Sequence, residues 1–313
     1  MQMPDKLGIG IDGGGTKTKV LVKKSLTGDV LFEKKYPSTN YNNIGVDGLE
    51  QVLKTIYTEL TEKFGKEQLA NASLAMGAAG IDRPQDEVIY REALKNSGFD
   101  CNFEVFNDAY IALIGGNGGR KGALLITGTG SIAIGISTEG KEVRTGGWGY
   151  MTSDDGSGYK LGIKAVSAIM DSYDEIIENT SLTERVLNYY GIKSPEDFMD
   201  LIYIDKDFSI DKIAAIAPIV QEEAEKGDAA ALNILYREIE RLVAMIKALA
   251  KKMKTNEFRL CLAGSLMLKS DIYLRLFKAG MNKSLPGIQI CEPLNEPAYG
   301  ALIIALGEGT VNE

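Results

Sequence analysis

The sequence contains no histidine among its 313 residues. This absence excludes catalytic triads that use histidine, zinc sites with histidine ligands and phosphate transfer through phosphohistidine. A general base in this chain must therefore be a carboxylate or, less commonly, a lysine, tyrosine or cysteine.

Cysteine, basic charge and long apolar runs are also scarce. Cys101, Cys261 and Cys291 are far apart and odd in number, which is typical of reduced thiols and predicts a cytoplasmic protein. A formal net charge of −8 argues against nucleic-acid binding. The sequence lacks a run of about 18 apolar residues, so it predicts no membrane helix. The polar start MQMPDK does not resemble a signal peptide.

Length and composition indicate a globular protein with two domains. A chain of 313 residues is long enough for two domains of about 150 residues, each with its own core. A hydrophobic content of 44% and a charged content of 25% are typical of such proteins.

Residues 7–22, LGIGIDGGGTKTKVLV, predict a strand, a glycine-rich turn and a returning strand. The turn consists of Gly13, Gly14, Gly15, Thr16 and Lys17. Its glycines let backbone N–H groups surround an anion, and its last two residues add a hydroxyl and a positive charge. Asp12 ends the first strand and could hold hydrated Mg²⁺, because hard cations prefer oxygen ligands. An ordinary glycine-rich hairpin is the alternative interpretation.

A second segment, residues 122–137, repeats this pattern of strand, glycine turn and strand. Its turn consists of Thr127, Gly128, Thr129, Gly130 and Ser131. Two such hairpins, one in each half of the chain, suggest two halves that close on one polyphosphate. The chain contains no GxxxxGK[ST] motif, so neither turn is a Walker A loop.

Two polar segments in the first half could bind a small ligand. Residues 38–45, STNYNNIG, predict a loop whose asparagines suit sugar hydroxyls, although a plain surface turn is the alternative. Asn107 and Asp108 follow a predicted strand and precede a predicted helix. Ligands in α/β sheets bind at the carboxyl ends of strands, but Asp108 could also be a simple helix cap.

The chain after residue 114 contains four informative features. Residues 115–122, GGNGGRKG, include five glycines and predict a domain boundary and hinge. Trp148, the only tryptophan, lies between glycines and could stack on a sugar ring or be a buried anchor. Asp154 and Asp155 precede a predicted helix and could accept hydroxyls, bind a metal ion or favour the helix start. The apolar stripe of a long helix from Asp228 favours a core helix over a coiled-coil seam.

Six motifs occur in a fixed order: DGGGTKT, STN, ND, GTGS, GGWGY…DDGSG and AGS. In this set, which spans nearly the whole chain, the sequence resembles the N-acetylglucosamine kinases of the BadF/BadG/BcrA/BcrD ATPase family. That family is part of the superfamily of actin, Hsp70 and hexokinase. The resemblance implies an α/β protein with two ribonuclease-H-like (actin-like ATPase) domains and a cleft between them.

The resemblance also implies a function: ATP-dependent phosphorylation of the 6-hydroxyl of an amino sugar. The expected sugar is N-acetylglucosamine, with N-acetylmuramic acid and glucosamine as further candidates, and Asp108 would be the general base. The residues implied to bind the sugar are Asn40, Asn107, Asp108, Trp148, Gly149, Asp154 and Gly158. Those implied to bind ATP are Asp12, Gly14, Gly15, Thr16, Lys17, Gly128, Thr129, Gly130, Ser131, Gly264 and Ser265. Asp12 is also expected to hold Mg²⁺ through water.

In this family the last helix packs back on the first domain, which predicts domains of 1–118 with about 296–313, and of 119–295. A homodimer is a further expectation. The family usually shows GDEGS where this chain has SDDGS at 153–157, which changes the side chains near the sugar. Two other functions are considered. One is an ATPase activator of a 2-hydroxyacyl-CoA dehydratase, which binds an iron–sulfur cluster through cysteines; the other is a nucleotide-switched regulatory protein, which needs no catalytic base.

Overall fold

The computed structural model describes residues 6–81, 83–204 and 209–307. The chain divides into two compact units, Met1–Leu124 with Glu292–Glu313, and Leu125–Cys291. The domain boundaries expected from the sequence lie after residue 118 and at about residue 296. Each unit contributes one five-stranded sheet in the described ranges.

The strands of the first sheet are β1 Gly8–Gly13, β2 Lys17–Lys23, β3 Phe32–Pro37, β4 Ser73–Ala78 and β5 Asn102–Asn107. Their order is β3-β2-β1-β4-β5. The strands β1, β2 and β3 form an antiparallel meander, whereas β1, β4 and β5 run parallel. Those of the second sheet are β6 Ala123–Thr127, β7 Ser131–Ile136, β8 Glu142–Gly146, β9 Phe258–Ala263 and β10 Ile288–Cys291, in the order β10-β9-β6-β7-β8.

The helices cover the sheets and form a separate helical region in the second unit. In chain order they are α1 Tyr41–Phe64, α2 Lys66–Ala70, α3 Pro84–Asn96, α4 Asp108–Asn117, α5 Gly158–Tyr173, α6 Ser181–Tyr190, α7 Phe198–Tyr203, α8 Ile210–Ala214, α9 Ala217–Glu225, α10 Ala229–Met253, α11 Ser265–Lys269, α12 Asp271–Ser284 and α13 Pro297–Ala305. A 3₁₀ turn, Pro195–Asp197, precedes α7. None of the helices in these ranges combines the length and the apolar character needed to cross a membrane.

The alternating sequence of β1 explains how the first unit is assembled. Ile9 and Ile11 are fully buried in the core, and Gly10 between them faces α13. A Cβ on Gly10 would clash with the carbonyl oxygen of Ala298, so only glycine lets α13 approach this closely. The last helix therefore packs on the first sheet, although it follows the whole second unit in the sequence.

Two segments that the sequence predicts as loops are partly helical in the structure. Residues 41–44 are helical, because Asn40 caps α1 and the helix continues through a kink at Gly45, where φ is 72°. Residues 115–117 belong to α4 and are buried, so they are not part of a hinge loop. A Cβ on Gly115 would lie 2.7 Å from the carbonyl oxygen of Glu296, which shows that this glycine serves close helix packing.

The long helix α10 is a core helix, as its stripe predicted. Leu235, Leu242 and Leu249 are fully buried, and the helix packs on α5, α9, α12 and β8. Asp228 caps it by accepting a hydrogen bond from the N–H of Ala231 at 2.9 Å. Burial of a 25-residue amphipathic helix supplies much of the core of the second unit.

Candidate functional site

The carboxyl ends of three parallel strands bring the predicted residues of the first unit to one edge of the sheet. Gly13 pairs in register with Ala78, and Ala78 pairs with Asn107. Two strand spacings of about 4.8 Å each therefore separate the backbone of β1 from that of β5 at this edge. Asp12 and Asp108 lie at these two strand ends.

The glycine turn between β1 and β2 is fixed by the neighbouring STN segment. The N–H of Gly14 donates to the carbonyl of Lys17 at 3.0 Å, which closes the turn. Its own carbonyl accepts from the hydroxyl of Ser38 at 3.0 Å, and the carbonyl of Gly15 accepts from Asn43 Nδ2 at 3.2 Å. Gly15, Thr16 and Lys17 are exposed, so a preformed turn is presented to solvent.

The predicted sugar residue Asn40 has a defined position at the start of α1. Its Oδ1 accepts from the N–H of Asn42 at 3.0 Å, and its amide group lies against Gly80. The preceding Thr39 is buried; its hydroxyl is 2.9 Å from that of Thr18, and its carbonyl accepts from Tyr90 Oη at 2.8 Å. The backbone beside Asn40 is therefore held rigidly.

Asn107, and not Asp108, is the N-cap of α4. Its Oδ1 accepts from the N–H of Ala109 at 2.9 Å, and its Nδ2 donates to the carbonyl of Ile81 at 2.7 Å. Asp108 is the first helical residue, is half-buried, and also accepts from the N–H of Ala109, at 2.8 Å. The cap alternative for Asp108 is therefore wrong, because its neighbour carries that role.

Asp12 has a strongly perturbed carboxyl group. Burial is the largest cause, and the negative charges of Asp108 and Glu296 add to it, raising the pKa of Asp12 to about 6. The positive charges of Lys17 and Lys19 act in the opposite direction. A divalent cation would relieve this excess of negative charge, so the residue fits a Mg²⁺ site. The described ranges contain no group of three or more acidic or cysteine side chains placed to hold a metal ion.

The second glycine turn is held by the start of α5 and by the following loop. The N–H of Gly158 donates to the carbonyl of Gly128 at 2.7 Å, and the hydroxyl of Ser131 donates to the carbonyl of Asp155 at 2.7 Å. Gly158 and Ser131 are both buried. Thr129 is exposed, and its hydroxyl donates to Asp211 Oδ1 at 3.1 Å.

The loop from 147 to 157 carries the other predicted sugar residues. Trp148 is 65% exposed, so the interpretation as a buried anchor is wrong, and the guanidinium carbon of Arg144 lies 3.8 Å from its ring centre. Gly149 has a φ of 90°. Asp154 is buried, its Oδ1 has no hydrogen-bond partner, and burial raises the pKa of its carboxyl group.

A cavity of about 480 Å³ in the second unit adjoins the second glycine turn. Gly128, Thr129, Gly158 and Ser265 line one part of it. The AGS turn reaches this place because Gly264 has a φ of 91° and packs directly on the backbone of Thr127. A wider groove of about 710 Å³ beside α6 contains none of the predicted residues.

Sequence reasoning missed the other wall of this cavity. It is formed by α8 and α9 and by the residues between them, and none of the six motifs lies in this segment. The lining residues on this side are Asp211, Ala214, Ala215, Ala217, Pro218 and Gln221. The available signal was the run AAIAP at 214–218, whose small side chains leave room beside a glycine turn.

Comparison with known proteins supports the interpretation of the motifs. Residues 9–305 match the model of the BadF/BadG/BcrA/BcrD ATPase family. The chain is 34% identical to an N-acetylmuramic acid/N-acetylglucosamine kinase of Clostridium acetobutylicum, over 96% of this chain and 98% of the relative. It is 30% identical to an N-acetyl-D-glucosamine kinase of Dictyostelium discoideum (97% and 99%) and 27% identical to a glucosamine kinase of Vibrio cholerae (95% and 95%).

Two solved structures share the fold. One is a protein of Chromobacterium violaceum described as an N-acetylglucosamine kinase, with a TM-score of 0.74 and 24% identity over 96% of this chain and 99% of that one. The other is a ROK hexokinase of Thermus thermophilus, with a TM-score of 0.56 and 14% identity over 96% and 97%. They confirm the predicted α/β class with two ribonuclease-H-like domains. By its six motifs and by a match over nearly its whole length, the chain belongs to the BadF/BadG/BcrA/BcrD ATPase family.

Proposed function

We propose that this protein is an ATP-dependent kinase that phosphorylates the 6-hydroxyl of an amino sugar, with N-acetylglucosamine as the first candidate. One observation carries the proposal: a glycine turn, Asp12 and Asp108 share one sheet edge in a chain whose relatives are amino-sugar kinases. N-acetylmuramic acid and glucosamine are further candidates, since these sugars differ from N-acetylglucosamine only by a lactyl or an acetyl group.

Asp108 would be the general base. As the sugar O6 attacks the γ-phosphorus of ATP, the hydroxyl proton moves to the Asp108 carboxylate and the bond from the γ-phosphorus to the β,γ-bridging oxygen breaks, releasing ADP. The chain has no histidine to compete for this role. The half-buried carboxylate lies at the start of α4, at the same end of the sheet as Asp12.

The sugar would be bound by several groups besides the base. Asn40 and Asn107 would contribute amide groups, Trp148 and Gly149 would line the pocket, and the unpaired oxygen of Asp154 would accept a sugar hydroxyl. The N–H of Gly158 is engaged by Gly128, so this glycine would shape the pocket through its missing side chain.

ATP would be bound by the two glycine turns. The N–H groups of Gly14 and Gly128 donate within their own turns, so these two glycines would contribute through their missing side chains. In the first unit the phosphate ligands would be Gly14, Gly15, Thr16 and Lys17; in the second they would be Gly128, Thr129, Gly130 and Ser131. The cavity of about 480 Å³ would hold the adenosine, with Gly264 and Ser265 at its edge. Asp12 would hold Mg²⁺ through water, and the cation, when bound, neutralises phosphate charge. Catalysis would come mainly from positioning and electrostatics.

A screen of sugars tests this proposal. The purified protein is incubated with ATP, Mg²⁺ and either N-acetylglucosamine, N-acetylmuramic acid, glucosamine or no sugar, and ADP release is followed by a coupled assay. We expect at least one amino sugar to raise ADP release by about tenfold or more, with the new phosphate on O6 by ³¹P NMR. ADP release that is the same with and without every amino sugar would contradict the proposal. The expected homodimer and the absence of nucleic-acid partners remain predictions.

A further inference from the structure

The turn that carries Asp154 is held from behind by buried side chains. The N–H of Gly156 donates to Glu238 Oε2 at 2.7 Å, and its carbonyl accepts from Tyr273 Oη at 2.6 Å. Glu238 is 1% exposed and Tyr273 is fully buried. A Cβ on Gly156, where φ is 74°, would clash with Leu242, so the turn lies directly on α10.

Asp154 needs such support because its own backbone is unfavourable. Its φ is 61°, in the left-handed region that residues with a side chain rarely adopt. Its carbonyl accepts from the N–H of Ser157 at 3.1 Å, and the carboxylate of the next residue, Asp155, accepts from Arg241 at 2.7 Å. The contacts with α10 therefore oppose relaxation of the turn.

The buried position of Glu238 is energetically unfavourable for a carboxylate. Its carboxylate is buried, and the ammonium group of Lys164, about half exposed, lies 3.7 Å from it. Burying a carboxylate with so weak an ion pair costs free energy, which a leucine or methionine on the same helix would avoid. What Glu238 supplies, and an apolar residue cannot, is an acceptor for the N–H of Gly156.

We propose that Glu238 is a positioning residue for the amino sugar. It acts through Gly156: by fixing the turn, it holds Asp154 in its left-handed conformation with the carboxylate presented to the sugar. Tyr273 supports the same turn from the carbonyl side. This inference rests on the proposed function, because it deepens the description of the same sugar site.

Three variants of the full chain test the role of Glu238. Glu238→Ala removes the acceptor, Glu238→Gln keeps an oxygen that can accept from Gly156, and Glu240→Ala is a matched control on the exposed side of α10. We expect Glu238→Ala to raise the KM for the sugar by about tenfold or more while the KM for ATP changes by less than about threefold. Glu238→Gln should stay within about threefold of the wild type for both substrates.

A binding measurement separates this inference from the proposed function. Trp148 is the only tryptophan, so a titration of its fluorescence with N-acetylglucosamine reports sugar affinity without turnover. Weaker sugar binding in Glu238→Ala than in Glu240→Ala would support the inference. Equal sugar affinity in these two variants, or an equal loss of sugar affinity in Glu238→Ala and Glu238→Gln, would overturn it.

If Glu238→Ala does not fold, Tyr273→Phe takes its place. A raised KM for the sugar in this variant supports the role of the turn, and an unchanged KM for the sugar contradicts it. Loss of activity in the wild type itself would instead contradict the proposed function.

Discussion

Lys19 and Glu296 form an ion pair with an Nζ–Oε1 distance of 2.6 Å, although they are 277 residues apart in the sequence. Lys19 is paired in register with Asp12 across the first hairpin, and Glu296 is the N-cap of α13. The last helix therefore brings a negative charge close to the carboxylate that we propose for Mg²⁺. Because Glu296 raises the pKa of Asp12 and Lys19 lowers it, this ion pair adjusts the charge of the site.

The raised pKa of Asp12 predicts how activity depends on pH. Mg²⁺ binds the deprotonated carboxylate, so at limiting Mg²⁺ the kinase rate should fall as the pH is lowered through about 6. High Mg²⁺ competes with the proton and should shift this fall to lower pH. Rate profiles at two Mg²⁺ concentrations check the prediction; profiles that coincide would contradict it.

The same carboxyl group predicts an effect on stability. Its pKa is about 6 in the folded protein and 3.8 in a model peptide, so between these values the folded state binds the extra proton. Stability is therefore lost as the pH rises through this window. Without Mg²⁺, Asp12→Asn should be more stable than the wild type at pH values above 6, by up to about 2 kcal/mol after screening by solvent. Urea unfolding at pH 5 and pH 7.5 measures this difference in stability, and Asp100→Asn, at an exposed position, is the control. An Asp12→Asn variant that is less stable than the wild type at pH 7.5 would contradict the prediction.

Two glycines of the first hairpin should respond differently to alanine. A Cβ on Gly10 would clash with the backbone of α13, so Gly10→Ala should lower the free energy of unfolding by about 2–4 kcal/mol. A Cβ on Gly15 has only Asn43 Nδ2 nearby, at 4.0 Å. Gly15→Ala should therefore change stability by less than about 0.5 kcal/mol and raise the KM for ATP by about tenfold. Unfolding by denaturant measures the stability of each variant, and initial rates measure its KM for ATP. A Gly10→Ala variant as stable as the wild type, or a Gly15→Ala variant with an unchanged KM for ATP, would contradict these predictions.

The cysteines distinguish the kinase from the dehydratase activator. Cys261 and Cys291 lie opposite each other on β9 and β10 with their Sγ atoms 3.5 Å apart, a pairing that the sequence did not reveal. Burial raises the pKa of the Cys261 thiol, so this thiol is protonated at neutral pH in the protein without metal. An iron–sulfur cluster would need several thiolates at one place.

We therefore expect anaerobic treatment with ferrous iron and sulfide to leave the desalted protein colourless. The double variant Cys261→Ser, Cys291→Ser should keep the kinase rate within about threefold of the wild type. A brown protein with bound iron, together with no sugar-dependent ADP release, would favour the activator.

Local patterns were sufficient to predict many of the elements. The glycine hairpin over β1 and β2, the helix after Asp154 and Asp155, and the long helix after Asp228 follow from alternation, capping and a 3.5-residue stripe. The segment 41–44 was harder, because its asparagines are typical of turns, yet the Asn40 cap and the close packing at Gly80 make it helical.

Contacts distant in the sequence could not be predicted in this way. The sequence suggested that Gly115 is a hinge residue. In the structure its missing side chain allows close contact with α13, and its carbonyl accepts from Asn295, 180 residues further on. The role of α8 and α9 in lining the cavity, and the bond from Glu238 to Gly156, 82 residues apart, depend on the packing of the second unit. No local pattern records such contacts.

If Asp108 removes the proton from the sugar hydroxyl, the variant Asp108→Asn should lose the chemical step but still bind the sugar. The variant is compared with the wild type and with Asp100→Asn for the rate of phosphorylation of N-acetylglucosamine, or of whichever amino sugar the screen identifies, and for sugar binding by Trp148 fluorescence. We expect Asp108→Asn to lower kcat by about 10²–10⁴ and to leave the affinity for the sugar unchanged. An Asp108→Asn enzyme that turns over within about threefold of the wild type would contradict it.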